Sequence, residues 1–274
     1  MQNQKKTAIL VVSFGTSHQD TCEKTIGAIE KAIRETYPQF PLFRAWTSKM
    51  ILQKLQKEKG IQIPDVTQAM SQMASLGISD VIIQPTHVIN GIENQLMQKE
   101  AMAWKEHFRS ITFGTPLLTT TEDSLTVCHI IAEEFSHLSA DHKKQALLLM
   151  GHGTDHFSNF AYAALDYMFK EQGYPWIFVG TVEAYPSLSC VQKQFERFAP
   201  EEIILAPFMI VAGDHAKNDM AGANEDSWAS QLKRQGYQIQ TVLKGLGEYP
   251  RIRQLFLDHT AQAIEEADLL KHIK

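Results

Sequence analysis

Two imidazoles and a carboxylate recur at an even spacing in the second half of this chain. His152, Glu183 and His215 stand 31 and 32 residues apart, and each follows a short apolar run, at residues 147–150, 177–182 and 203–211. A strand, its crossover helix and the return to the next strand take about 30 residues. In parallel α/β sheets, ligands gather outside the carboxyl ends of the strands. The spacing therefore predicts three side chains at one edge of one sheet. Two nitrogen donors and one oxygen donor suit a first-row divalent metal, with positions left open for exchange.

The neighbours of these residues add to that reading. His152 lies between Gly151 and Gly153, directly after a strand-like run, where glycines permit a tight turn and close approach of a ligand. Glu183 precedes Ala184-Tyr185-Pro186 and by itself would pass for an acid at a helix start. Either Asp214 or Asp219 could orient the His215 ring from behind. Glu93 holds, in the first half, the place that His215 holds in the second. It could face the metal site and accept protons, or it could be a surface carboxylate that begins a helix.

The turn Phe14-Gly15-Thr16-Ser17 resembles an anion-binding helix start, where free backbone N–H groups attract carboxylates. It has no Walker lysine, and no GxGxxG occurs, so nucleotide binding finds no support. Arg44, Lys49 and Lys217 could meet acidic groups of a substrate, with ordinary surface charge as the competing account. Phe14, Trp46 and Met209 could contact a flat ligand or pack in a core. His18, His87 and His156 lie near these motifs without an assigned role.

The elements that must position these residues form two halves that echo each other. Residues 10–18 line up with 148–156, and residues 81–85 running on to 90–93 line up with 203–207 running on to 212–215. Both halves carry a proline in an apolar run and a glycine just after it, in the same order, which favours duplication. Strands are expected at 7–13, 41–45, 80–89 and 111–116, and in the second half at the three apolar runs and at 238–243. Ser17 and Asp20 have capping-box spacing ahead of a helix with Ile26, Ile29 and Ile33 at helical period. Further helices are expected at 50–59, 66–76, 161–171, 188–197 and 251–269, several stopping at Gly60, Gly77 and Gly173. Alternation of strands and helices implies α/β lobes, each with a parallel four-stranded sheet flanked by helices. The polar stretch 136–144 suggests lobes at 1–138 and 139–274, with the ligand in a cleft between them.

The whole chain narrows the classes further. With 26 Lys and Arg against 31 Asp and Glu, the net charge of −5 argues against a nucleic-acid partner. Cys22, Cys128 and Cys190 are odd in number and far apart, as expected of reduced thiols in a cytoplasmic protein. The apolar run from Ala8 to Val12 is too short for a signal-peptide core, and no stretch reaches membrane-spanning length.

Several segments together resemble the anaerobic cobalt chelatases of cobalamin synthesis. They are Val11 to Ser17, Leu42 to Ser48, Met150 to Gly153, Val182 to Pro186 and Val211 to Ala216, joined by Glu225-Asp226-Ser227-Trp228 and Gly245-Leu246-Gly247-Glu248. The matches run in order over almost the whole chain. The resemblance implies a class II chelatase fold with no ATP requirement and no organic cofactor. It implies insertion of Co²⁺ into sirohydrochlorin, a tetrapyrrole with eight carboxylates, as the two substrates. Metal-binding roles then fall on His152, Glu183 and His215, with His152 also a proton acceptor. Glu93 is the second candidate for proton handling, and Phe14, Gly15, Thr16, Ser17, Arg44 and Trp46 are candidates for binding the pigment. Insertion of Fe²⁺ to give siroheme, a tetrapyrrole or metal carrier without catalysis, and a metal-dependent hydrolase are the alternatives. A homo-oligomer is compatible with the sequence.

Overall fold

Continuous apolar runs become the central strands of two separate sheets. The computed structural model describes residues 6–137 and 145–273, with side chains through 268. The first half contains β1 (Lys6–Ser13), α1 (Gln19–Lys24), α2 (Ile26–Thr36), β2 (Leu42–Trp46), α3 (Lys49–Lys59) and α4 (Val66–Ser75). It continues through β3 (Ile78–Pro85), α5 (Ile92–Met102), β4 (Ser110–Phe113) and α6 (Thr121–Glu134). The second half contains β5 (Gln145–Gly151), α7 (Phe160–Glu171), β6 (Ile177–Thr181), α8 (Leu188–Phe198) and β7 (Glu202–Pro207). A π-helical turn (His215–Met220), α9 (Trp228–Arg234), β8 (Gln238–Thr241) and α10 (Pro250–Ile273) complete it.

The sheets have the same topology, β2-β1-β3-β4 and β6-β5-β7-β8. All pairings are parallel. Parallel sheets of this kind are covered on both faces, which is why β1 and β5 read as unbroken apolar runs. Ala8 to Val12 and Ala146 to Met150 are at most 1% exposed. The two prolines do the same work in each half. Pro85 and Pro207 are the last residues of β3 and β7, in register with Val12 and Met150. The next residue resumes the ladder, Thr86 N–H donating to Val12 O and Phe208 N–H to Met150 O. The strands expected to run on to residues 89 and 211 end at the proline, with that one further bond beyond it.

Helix boundaries follow local chemistry. Gly60 takes φ +65 and closes α3 in the left-handed conformation. Asp65 and Gln68 form the capping box that starts α4. The single helix expected after Ser17 is instead two: the N-cap is His18, and the chain breaks at Thr25. Thr25 Oγ1 donates to Thr21 O at 2.6 Å, a side-chain bond that competes with the helical ladder.

The chain divides into two compact units, one through Leu117 together with the residues from Arg253 onward, the other from Leu118 to Ile252. The boundary expected at 138/139 lies outside the described residues. Helix α6 belongs to the second unit, where His129 Nδ1 meets the Tyr174 hydroxyl at 3.1 Å and Glu133 pairs with Arg251. Most of α10 belongs to the first unit, where Thr260 donates to Gln84 Oε1 at 3.1 Å and Tyr37 to Leu257 O at 3.4 Å. Each half therefore gives its last helix, at least in large part, to the other half's unit. Among the described residues, no helix is long and apolar enough to cross a membrane.

Candidate metal centre

The carboxyl ends of β5, β6 and β7 bring three ligand-type side chains together in the second unit. His152 follows β5, and Glu183 lies two residues past β6. The pairing of these strands continues beyond their ends, with Val182 N–H donating to Gly151 O and Glu183 N–H to His152 O, both at 3.0 Å. This extension fixes His152 and Glu183 side by side. His215 opens the π-helical turn after β7. One ligand atom from each of the three residues lies within 4.8 Å of the others.

The glycines around His152 are required by contact. A Cβ on Gly151 would sit 2.4 Å from the Tyr162 ring, and one on Gly153, at φ +90, would sit 2.8 Å from the Ala184 Cβ. Burial pushes the Tyr162 hydroxyl up to about 12, against hydrogen bonds from the backbone of Gly153 and His152. It is thus a neutral buttress under the His152 turn. The segment leading to His215 is braced from the side, Leu246 N–H donating to Met209 O and Gly247 N–H to Ile210 O. A Cβ on Gly245 would lie 2.4 Å from Ile210 O, so the Gly245-Leu246-Gly247 motif permits this backbone approach.

Hydrogen bonds set which nitrogen each imidazole can offer. His215 Nδ1 lies 2.6 Å from Asp219 Oδ2, so a proton on Nδ1 leaves the Nε2 lone pair for a cation. That Nε2 is 3.9 Å from Glu183 Oε1. The sequence left Asp214 and Asp219 as equal candidates for this partner, and the carboxylate in contact is Asp219. A turn closed by i→i+5 bonds stacks residues four and five apart, which aligns His215 with Asp219. His152 Nδ1 lies 2.9 Å from Gly153 O, which can only accept, so its lone pair also falls on Nε2. Glu183 Oε2 is 3.5 Å from His152 Nδ1, and the two rings stand edge to face at 4.7 Å between centroids. All three side chains are partly exposed, as a site that exchanges its metal requires.

One residue of this centre has no signal in spacing or motif. Asn159 caps α7 but makes no side-chain bond to the helix. Its Oδ1 accepts from Thr154 N–H at 3.0 Å and its Nδ2 donates to Tyr185 O at 2.5 Å. It is buried and joins the loop after His152 to the turn after Glu183.

The other expected site residues lie in the first unit. Glu93 is half-buried in the first turn of α5. Phe14, Gly15, Thr16 and Ser17 form the β1–α1 turn, in which Phe14 alone is exposed. Thr16 Oγ1 accepts from His18 N–H at 3.2 Å, and Lys59 Nζ donates to Ser17 O at 2.8 Å, so this turn is held from within and by the end of α3. The guanidinium of Arg44 forks onto Glu30, at 2.7 and 2.5 Å, and is committed to that buried carboxylate. Trp46 is buried beneath Gly15, whose missing Cβ would lie 2.6 Å from the indole. Trp46 therefore supports the turn from below, while Arg44 ties β2 to α2.

The family described as Cobalt chelatase (CbiK) matches the chain over residues 7–265. The sirohydrochlorin cobaltochelatase of Salmonella typhimurium is 40% identical over 262 residues, covering 96% of this chain and 98% of that protein. The sirohydrochlorin cobaltochelatase CbiKC of Nitratidesulfovibrio vulgaris is 29% identical, covering 96% of this chain and 92% of that protein. In fold, the chain is similar to SirB from Bacillus subtilis, solved with Fe³⁺, at a TM-score of 0.64 and 11% identity, covering 94% of this chain and 95% of that one. With a family match that spans nearly its full length, the chain belongs to the cobalt chelatase (CbiK) family.

Proposed function

We propose that this protein is a sirohydrochlorin cobaltochelatase, inserting Co²⁺ into sirohydrochlorin without ATP in the anaerobic route to cobalamin. The observation that carries this reading is the convergence of His152, Glu183 and His215, within 4.8 Å, in a chain of this family. Insertion must exchange the ligands of the cation for four ring nitrogens and remove two pyrrole protons. Two neutral imidazoles and one carboxylate hold Co²⁺ through a minority of its positions and leave the rest labile. His152 holds the cation first and, once the ring nitrogens displace it, offers its Nε2 lone pair to a proton. Glu93 is assigned the second proton, on the strength of its chemistry and its place in the duplicated fold. Phe14 is the residue of its turn left open to a ligand. The three cysteines are free thiols, two of them buried, which supports a cytoplasmic setting.

The test is anaerobic mixing of metal-free protein with sirohydrochlorin and Co²⁺ or Fe²⁺, followed by the absorbance change on insertion. Insertion well above the protein-free rate, faster with Co²⁺, is the expected result. His152→Ala and His215→Ala should fold normally and lose most of that rate. Pigment binding without accelerated insertion would make the protein a carrier and remove the proton-acceptor role of His152.

A further inference from the structure

Three large aromatic side chains beside the metal centre are turned to water. Phe157 is 73% exposed, Phe160 71% and Tyr185 61%. They stand on the two segments that carry His152 and Glu183. Tyr185 is two residues from Glu183, hence within about 7 Å of it along the chain. Phe160 directly follows Asn159, whose side chain is bonded to Tyr185 O at 2.5 Å. Phe157 opens the short turn before α7 and lies against the His156 ring at 4.2 Å between centroids. Clustered exposed aromatics on a folded protein mark a surface that something covers.

We infer that Phe157, Phe160 and Tyr185 form the platform on which the flat face of the tetrapyrrole lies while its centre meets the cation. The inference rests on the chelatase reading and adds to it where the second substrate docks. The second substrate must bring its nitrogens to the metal ligands, so its flanks overlie the residues next to them. Its face is an apolar π-system, which aromatic rings match, whereas its acidic groups lie at the rim. The area fits as well: at their exposures the three rings present on the order of 400 Å². A stable protein partner would cover about twice that on each side. Tyr167, also 71% exposed, lies two turns further along α7, about 10 Å from Phe160 along the helix axis, and is outside the platform.

The test measures sirohydrochlorin binding to the metal-free full-length protein under anaerobic conditions, by pigment absorbance and quenching of protein fluorescence. Co²⁺ binding without pigment is measured alongside, with sedimentation velocity for the oligomeric state. Stacking on one aromatic ring is worth about five- to a hundredfold in affinity. Phe157→Ala, Phe160→Ala and Tyr185→Ala should therefore each weaken pigment binding about tenfold, with Co²⁺ affinity unchanged. Phe160→Trp should keep pigment affinity, and Tyr167→Ala should leave it as in the wild type. Unchanged pigment affinity in the three alanine variants would overturn the inference. So would an equal loss in Tyr167→Ala, or a shift to a smaller species at constant pigment affinity, since both point to a protein contact along α7. A wild-type protein that binds no sirohydrochlorin would remove the chelatase reading, and this platform with it.

Discussion

Replacing Asp219 by alanine takes away the carboxylate that holds His215 Nδ1 at 2.6 Å and leaves the three candidate metal ligands untouched. The bond fixes the ring orientation and the tautomer, leaving the lone pair on Nε2, the nitrogen that lies 3.9 Å from Glu183 Oε1. Loss of such a partner weakens metal binding about ten- to a hundredfold. Here the Asp219 side chain is 48% exposed, so water competes for both groups and the lower half of that range applies. Co²⁺ affinity should fall about ten- to thirtyfold, roughly 1.4–2 kcal/mol. Asp219→Asn keeps an acceptor but loses the charge that about doubles the strength of the bond, so it should fall in between. Anaerobic titration of the metal-free protein with Co²⁺, read by calorimetry and by the visible d–d bands, gives both affinity and coordination. Thermal unfolding of the metal-free variants checks that the fold is intact. An Asp219→Ala protein with wild-type affinity and spectrum would refute this argument. The same would follow if Asp214→Ala did the damage instead.

Other substitutions probe the frame of the site. Asn159→Ala cuts two bonds that tie the ligand-bearing segments, and should lower Co²⁺ affinity about tenfold with altered d–d bands; an unchanged spectrum in the same titration would count against the clamp. Arg44→Met leaves the buried Glu30 carboxylate unpaired and should cost about 3 kcal/mol in urea unfolding, while Arg44→Met with Glu30→Gln should recover much of it. A loss below about 1 kcal/mol would show that water already reaches Glu30. Burial holds the His87 imidazole down to about 4 from an ordinary 6.5, and neither ring nitrogen has a hydrogen-bond partner among the described residues. The unfolded chain thus takes the proton first as pH falls, so stability should drop from about pH 6.5 toward about pH 4. His87→Leu should flatten that part of the urea-midpoint profile, and equal slopes for variant and wild type would exclude His87 as the cause.

The convergence of His152, Glu183 and His215 was legible in the sequence because their spacing is a consequence of topology. Strand, helix and return consume about 30 residues, so ligands one period apart must reach the same sheet edge. His152, Glu183 and His215 needed nothing further. The paired prolines at 85 and 207 and the glycine stops of the helices were legible for the same reason, since they act through the local backbone. The partners of Arg44 and Trp46, Glu30 and Gly15, were not legible, because they are set by packing between elements, which spacing does not encode.

By itself, then, the sequence determined the parallel α/β architecture, the repeat of two four-stranded sheets and the convergence of His152, Glu183 and His215. Only the tertiary structure decided that Asp219 rather than Asp214 holds His215, because that choice depends on a π-helical turn. It alone revealed Asn159 as the tie between two segments 26 residues apart. It alone assigned α6 to the second unit and most of α10 to the first. Period and composition record which face of an element is apolar; which neighbour that face and its polar edge meet is decided by contacts distant in the chain.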